Sequence, residues 1–202
     1  MIGPVYVVTD PDAPLAVRDQ AMAAARGGAW AVQIRDKVSA DAEVARLAEA
    51  LIETLVPLGV RVFVNDRVEV ARATGADLHI GQGDGDPLRA RDRIAPDALL
   101  GLSVETVAQC GRIPDGVDYI GAGPFRATPT KPDAAAPIGA AGLARIVAAA
   151  PVPTIAIGGL TLRDIATLKQ AGASGMAVVS AVTRVPNPEA ATRALVDAWR
   201  TA

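Results

Sequence analysis

Cysteine is nearly absent. The chain of 202 residues has one, Cys110, so an intramolecular disulfide cannot form and cysteine-built zinc sites are out of reach. Cys110 lies among apolar neighbours in a predicted helix and reads as a buried structural thiol. Aromatic residues are almost as scarce: two Trp, two Tyr and two Phe leave little for stacking nucleobases. An excess of one charge is also missing. Twenty basic and 22 acidic residues give a net charge of −2, with no positive field to hold a polyanion, so nucleic acid is not an expected partner. No apolar run approaches the roughly 18 residues of a membrane-spanning helix, so no membrane partner is expected either. The opening MIGPVYVVTDPDAP lacks the positive start and long apolar stretch of a secretory signal. The cytoplasm is the expected address.

What is present points to a folded α/β chain. Half of the residues are apolar and 21% are charged, a balance that suits a packed core and not disorder. Short β-branched runs alternate with Ala-rich amphipathic segments from end to end, the pattern of βα units around a parallel sheet. Eight strands are predicted, over Val5–Val8, Ala31–Arg35, Val60–Val64, Asp77–Ile80, Leu99–Ser103, Asp118–Gly121, Thr154–Ile157 and Gly175–Val179. Between them Val44, Leu47, Ala48, Leu51 and Leu55 recur at helical spacing, as do Leu143, Ile146, Val147 and Ala150. Asn187 is placed to cap a last helix, with Pro188 in its first turn, Glu189 at the positive end of its dipole, and Ala191, Leu195 and Trp199 facing inward. Gly59 and Gly172 stand where helices need a left-handed stop.

About 25 residues per unit accommodates a short strand, a three-turn helix and two loops. The chain is therefore expected to be a single (β/α)₈ TIM barrel of the α/β class, one domain over residues 1–202. A dinucleotide-binding sheet fits less well, because Gly121-Ala122-Gly123 is followed by Arg126 where the third glycine of that fingerprint would stand. Residues 124–140, rich in Pro, Thr and Ala, form the one irregular stretch and have the length of a lid.

Polar residues at strand carboxyl ends are the informative ones, since barrel chemistry gathers on that face. In the second unit Gln33 and Arg35 share one face by the period of two, with Lys37 just beyond. If that face points inward, two cations converge on one pocket; the simpler readings are an internal polar layer and, for Lys37, a solvated loop. Asp66 follows the third strand and Asp84 the fourth. Two carboxylates without cysteine or paired histidine favour a hard cation such as magnesium, although Asp66 also suits a helix cap and Asp84 a Gly-Asp-Gly turn. The lone histidine, His79, sits between Leu78 and Ile80 and reads as a core or rim residue. Ser103 therefore has no base with which to form a nucleophilic triad, and the site is expected to work by charge stabilisation and positioning. The turn Gly158-Gly159 and the segment Val178-Val179-Ser180-Ala181 follow strands seven and eight, the usual phosphate site of such barrels. The two glycines serve tight packing equally well.

As a set, YVVTD (6–10), QIRDK (33–37), NDR (65–67), HIGQGD (79–84), GLSVET (101–106), TPTK (128–131), AIGGL (156–160) and VVSA (178–181) resemble the thiamine-phosphate synthase family. The likeness touches all eight units. It implies a transferase that joins 4-amino-2-methyl-5-(diphosphooxymethyl)pyrimidine to 4-methyl-5-(2-phosphooxyethyl)thiazole, or its carboxy precursor, giving thiamine monophosphate and pyrophosphate. It implies further that Gln33, Arg35, Asp36, Lys37, Asn65, Ser103 and Lys131 bind the pyrimidine diphosphate, with Arg35, Lys37, Lys131 and Ser103 catalytic. Asp66 and Asp84 would hold Mg²⁺, and Thr128, Thr130, Gly159, Val179 and Ser180 would meet the thiazole phosphate.

Four positions depart from that family's usual form: Glu105 stands for a common histidine, Gly83 for an acidic residue, Ala127 for proline and Arg163 for a frequent asparagine. None removes an implied contact, but Asp86 competes with Asp84 for the second carboxylate. Two other functions are open to such a barrel. A thiazole tautomerase would carry histidine at position 105 and lack the paired carboxylates; a non-catalytic carrier of thiamine precursors would have lost a cation or an acid. The partners expected are the two phosphorylated small molecules, and a homo-oligomer is left open.

Overall fold

The computed structural model describes residues 2–128 and 135–202. Eight strands, β1 (Val5–Val8), β2 (Ala31–Ile34), β3 (Arg61–Asn65), β4 (Asp77–Ile80), β5 (Leu100–Val104), β6 (Tyr119–Ala122), β7 (Thr154–Ile157) and β8 (Gly175–Val178), are all parallel. They close in sequence order, β8 returning to β1. The expected barrel is therefore formed, with strand ends displaced by one residue in five of the eight. The reason is visible at β2, which stops at Ile34 because the Arg35 N–H leaves the ladder and donates to Thr9 Oγ1 at 3.2 Å.

Strand residues alternate between an interior layer and an outer one, both largely apolar. Tyr6, Val8, Ala31, Phe63, Tyr119, Ile155 and Ala177 pack inside the barrel, while Val5, Val7, Val32, Ile34, Val62 and Val64 face the surrounding helices. Four of the six aromatic rings of the chain, Tyr6, Trp30, Phe63 and Tyr119, meet in the interior at centroid distances of 5.0 to 6.2 Å. Room for them comes from small residues opposite. A β-carbon on Gly101 would lie 2.2 Å from Tyr119 Cζ, and one on Gly121 would lie 3.2 Å from His79 Cε1. The far rim is closed by Arg61, whose Nε donates to Asp77 Oδ2 at 2.6 Å, while Leu99 N–H donates to Asp77 Oδ1 at 2.7 Å. Burial pushes the Asp77 carboxyl upward even beside that guanidinium.

The helices form the outer ring: α1 (Val17–Arg26), α2 (Asp41–Leu55), α3 (Val68–Thr74), α4 (Pro87–Arg93), α5 (Val107–Cys110), α6 (Gly139–Ala149), α7 (Ile165–Gln170), α8 (Ser180–Thr183) and α9 (Pro188–Thr201). Helix α2 buries Val44, Ala48, Leu51 and Leu55, with Leu47 half-exposed at the edge of the stripe. Helix α6 buries Leu143 and Ile146, and Ala150 lies just past its end. Asn187 caps α9 as its spacing foretold, Oδ1 accepting the Ala190 N–H at 3.0 Å. The inward face of α9 buries Thr192, Leu195, Val196 and Trp199, with Ala191 half-buried against the same core. A buried Thr192 is tolerated because its hydroxyl donates to Pro188 O at 2.8 Å. Gly59 and Gly172 adopt φ of 78° and 83°, the left-handed stops expected. Cys110 is buried at the end of α5. Among the described residues no helix is long and apolar enough to cross a membrane.

Candidate active site

The carboxyl ends of the strands surround a cavity of about 600 Å³. Its polar wall comes from β2 to β5, and the period of two decides which residues reach it. Gln33 on β2, Asn65 on β3, His79 on β4 and Ser103 on β5 share the inward face, and all four line the cavity together with Arg35 and Lys37. Facing them are Gly158, Gly159 and Leu160 after β7, and Val179 and Ser180 after β8. Thr128 lines the cavity, whereas Thr130 and Lys131 lie outside the described residues.

A chain of hydrogen bonds crosses the cavity floor. Gln33 Nε2 donates to Tyr6 OH at 2.7 Å, Tyr119 OH lies 3.3 Å from Tyr6 OH, and His79 Nδ1 lies 2.9 Å from Tyr119 OH. His79 Nε2 then lies 3.0 Å from Ser103 Oγ. Burial raises both phenols well above their ordinary range, so they stay protonated and serve as hydrogen-bonding groups. This floor holds the amide of Gln33 and the hydroxyl of Ser103 in fixed orientations. Tyr119 lines the cavity without having been singled out from sequence, as do Tyr6 and Gln82, quoted only within motifs; Glu105, noted as a departure, and His79, read as a core or rim residue, line it as well. The parity of Tyr6 with Val8 and of His79 with Asp77 was the available signal.

The carboxylates separate by their local turns. Asp84 lines the cavity, and its Oδ2 accepts the Gly81 N–H at 2.7 Å, so it closes a turn and faces the site at once. Asp86 is the cap of α4, Oδ1 accepting the Leu88 N–H at 3.0 Å, and is not among the cavity-lining residues. Asp66 caps nothing. It adopts φ of 54° after β3 and ion-pairs with Lys37, which lines the cavity while Asp66 is not among the lining residues. Asp36, expected beside Lys37 on the diphosphate, faces elsewhere: Oδ1 accepts the N–H groups of Val38 and Ser39, each at 2.9 Å. Those backbone donors hold its carboxyl below the ordinary range, which marks it as the organiser of the turn into α2. Arg67 braces the same turn through Asp36 O and Ser39 O at 2.7 and 2.8 Å. Among the described residues Arg35 makes no ion pair.

A wall of cations, an amide and a carboxylate opposite glycine-rich turns is the layout of a site for an anionic substrate. Comparison with known proteins gives it a family. The profile described as thiamine monophosphate synthase matches residues 5–182. The chain belongs to the thiamine monophosphate synthase family. It is an enzyme of that transferase type. The match begins with β1, takes in all eight strands and ends within α8, leaving α9 beyond it. Among relatives of this family, the thiamine-phosphate synthase of Roseiflexus castenholzii is 47% identical over 200 residues, 96% of this chain and 87% of its own length. That of Solidesulfovibrio magneticus is 48% identical over 196 residues, 94% of this chain and 92% of its own. The solved thiamine phosphate pyrophosphorylase from Pyrococcus furiosus superposes with a TM-score of 0.88 at 30% identity, covering 98% of this chain and 96% of that one. A 3-hexulose-6-phosphate synthase, at TM-score 0.71 and 18% identity over 96% of this chain and 99% of its own, shares the fold alone.

Proposed function

We propose that this enzyme joins the pyrimidinylmethyl diphosphate to the thiazole phosphate, releasing pyrophosphate and forming thiamine monophosphate in the cytoplasm. The observation that carries the reading is that Arg35, Lys37, Asn65, Asp84 and Ser103 open onto one cavity opposite Gly159, Val179 and Ser180, in a chain of this family. The bond between the pyrimidine methylene carbon and the diphosphate oxygen breaks, its electron pair leaving with the diphosphate. The lone pair of the thiazole nitrogen then forms the new carbon–nitrogen bond. No proton moves and no protein nucleophile is needed; His79 does stand beside Ser103, contrary to the reading from sequence, but its Nδ1 lies against the Tyr119 hydroxyl and not against the carboxylate of a triad.

Arg35 and Lys37 oppose the negative charge that builds on the leaving group, and Lys131 completes the set. Gln33 and Asn65 orient the pyrimidine end, and Ser103 is held for the same task by His79. Asp36 is assigned to the turn and no longer to the diphosphate. Thr128, Thr130, Gly159, Val179 and Ser180 receive the thiazole phosphate.

The acids available suit magnesium. Asp66 and Asp84 offer only oxygen donors, and among the described residues no group of three His, Cys, Asp or Glu builds a complete cage. Mg²⁺ favours such partial sites, one or two carboxylates with water and substrate phosphate oxygens filling the rest. When bound, the ion neutralises charge on the departing diphosphate. Asp66→Ala is expected to lower turnover by about 10²- to 10³-fold while circular dichroism stays unchanged.

The test incubates the enzyme with both phosphorylated halves and Mg²⁺, following pyrophosphate and thiamine monophosphate, with and without chelator. Ion-dependent release of pyrophosphate in step with product is the expected result. Conversion of a thiazole isomer without thiamine phosphate would establish a tautomerase instead, and binding without turnover a carrier.

A further inference from the structure

The turn assigned to the thiazole phosphate is held by an ion pair that the reaction itself does not use. Arg126 follows β6, two residues before Thr128. Its Nη1 donates to Gly159 O at 2.7 Å and to Asp164 Oδ2 at 2.8 Å, and its Nη2 donates to Asp164 Oδ1 at 2.6 Å. Asp164 in turn accepts the Thr161 N–H at 2.7 Å and the Thr161 hydroxyl at 3.0 Å. Below this, Phe125 N–H donates to Ile157 O and Arg126 N–H to Gly158 O, at 2.7 and 3.1 Å. The segment from Gly158 to Thr161 is thus gripped from the β6 side by backbone and side chain together. Gly159, at φ of 64°, allows the approach: a β-carbon there would lie 2.6 Å from Arg126 Cγ.

One of these bonds sets the orientation of the turn. With Gly159 O drawn to the guanidinium, the planar trans peptide directs the Leu160 N–H to the opposite side, away from Arg126. Gly158, Gly159 and Leu160 all line the cavity, and Arg126 does not. A bidentate guanidinium–carboxylate pair fixes geometry as well as contributing energy, and Asp164 is buried while Arg126 is half-exposed.

We propose that Arg126 and Asp164 are positioning residues for the phosphate of the thiazole substrate. They clamp the turn after β7 in its anion-accepting orientation and tie it to the loop that carries Thr128. The proposal rests on the assignment of that phosphate to Gly159, Val179 and Ser180.

The test compares Arg126→Met, Arg126→Lys, Asp164→Asn and the double variant Arg126→Met/Asp164→Asn with the parent enzyme. KM is measured separately for each substrate, and thiazole phosphate binding is measured directly by calorimetry. Loss of the clamp leaves the turn to be ordered on binding, so KM and Kd for the thiazole phosphate rise about tenfold. KM for the pyrimidine diphosphate stays within about twofold in the same variants, since the clamp holds only the turn assigned to the thiazole phosphate. Arg126→Lys, which keeps the charge and loses the fork, falls between parent and Arg126→Met. The double variant is no worse than the worse single one, because the two residues act as a unit.

Unchanged thiazole phosphate affinity in the single variants, or an equal rise in both KM values, overturns the clamp. If one variant fails to fold, Asp164→Asn, which keeps an acceptor for Thr161, gives the same reading. A parent enzyme that makes no thiamine phosphate defeats the proposed activity instead, and calorimetry with thiazole phosphate still decides on the clamp.

Discussion

Replacing Gly101 by alanine strains the aromatic interior of the barrel. The added carbon would lie 2.2 Å from Tyr119 Cζ, 2.3 Å from its hydroxyl oxygen and 2.5 Å from His79 Nδ1. Carbon contacts settle near 3.5 to 4.0 Å, so the ring would have to retreat by roughly 1.3 Å or more. It has nowhere to go, since Tyr119 is fully buried and walled by Phe63, Tyr6 and Trp30 at centroid distances of 5.7, 6.2 and 6.2 Å. Overpacking of this kind costs about 1–3 kcal/mol, and breaking the Tyr119–His79 bond adds about 1 kcal/mol. At about 2–4 °C per kcal/mol for a chain of this size, Tm falls by roughly 5–15 °C. Gly121→Ala provides the graded comparison, because its carbon meets His79 Cε1 at 3.2 Å, a contact relieved by a small tilt of the imidazole. Differential scanning calorimetry of the two variants checks the order. A Gly101→Ala melt within about 2 °C of the parent, or a larger loss in Gly121→Ala, would refute the account of a close-packed interior floor.

Three further outcomes follow from side chains outside the cavity. Burial pushes the Cys110 thiol up, so the native protein should resist a disulfide reagent at pH 8 and yield its one thiol only in denaturant; rapid native labelling would contradict the burial. Asn187→Ala removes the cap on α9 and should cost about 1 kcal/mol, or about 2–4 °C in Tm, measured by thermal melting. The Asp164 carboxyl is held below its ordinary range chiefly by Arg126. A depressed acid contributes stability above its unfolded pKa and loses it as the pH falls through the folded one. The urea midpoint of the parent should therefore exceed that of Asp164→Asn at pH 7, with the gap closing below about pH 4; a gap that widens in acid would reverse the sign.

The eight-unit barrel was legible because a strand offers only two parities, and one buried residue fixes the rest. Once Phe63 and Val8 are inside, Asn65 and Tyr6 share their face. What the period does not carry is where a ladder ends, which at β2 depends on the Thr9 hydroxyl just past β1. Nor does it separate carboxylates. Asp36, Asp66, Asp84 and Asp86 all follow strands, but one organises a turn, one pairs with lysine, one faces the cavity and one caps a helix. Those roles follow from backbone geometry a few residues away, not from residue type. The floor of Tyr6, Tyr119 and His79 was hidden for a different reason. It joins β1, β4 and β6 across the barrel interior, and depends on glycines at Gly101 and Gly121 whose purpose shows only when the strands close.

The cavity is asymmetric in the kind of group it presents, and the asymmetry limits how it can change. On the side of β2 to β5 the work is done by side chains: Gln33, Arg35, Lys37, Asn65, Asp84 and Ser103. Exchanging one of them alters charge or hydrogen bonding while leaving the strand beneath it intact. On the side of β6 and β7 the cavity is lined by Gly121, Gly123, Gly158 and Gly159 beside Ile155, Ile157 and Leu160, and at the glycines the backbone itself forms the surface. A β-carbon on Gly123 would lie 2.2 Å from Ile157 O, and one on Gly158 would lie 2.6 Å from Pro124 Cα. Any side chain at either position forces neighbouring backbone apart, so these two positions cannot be substituted without moving β6 against β7. Differences in what the polar wall accepts can therefore arise residue by residue. At the glycines of the opposite wall, differences come from the loops that press on them, as Arg126 does on Gly159.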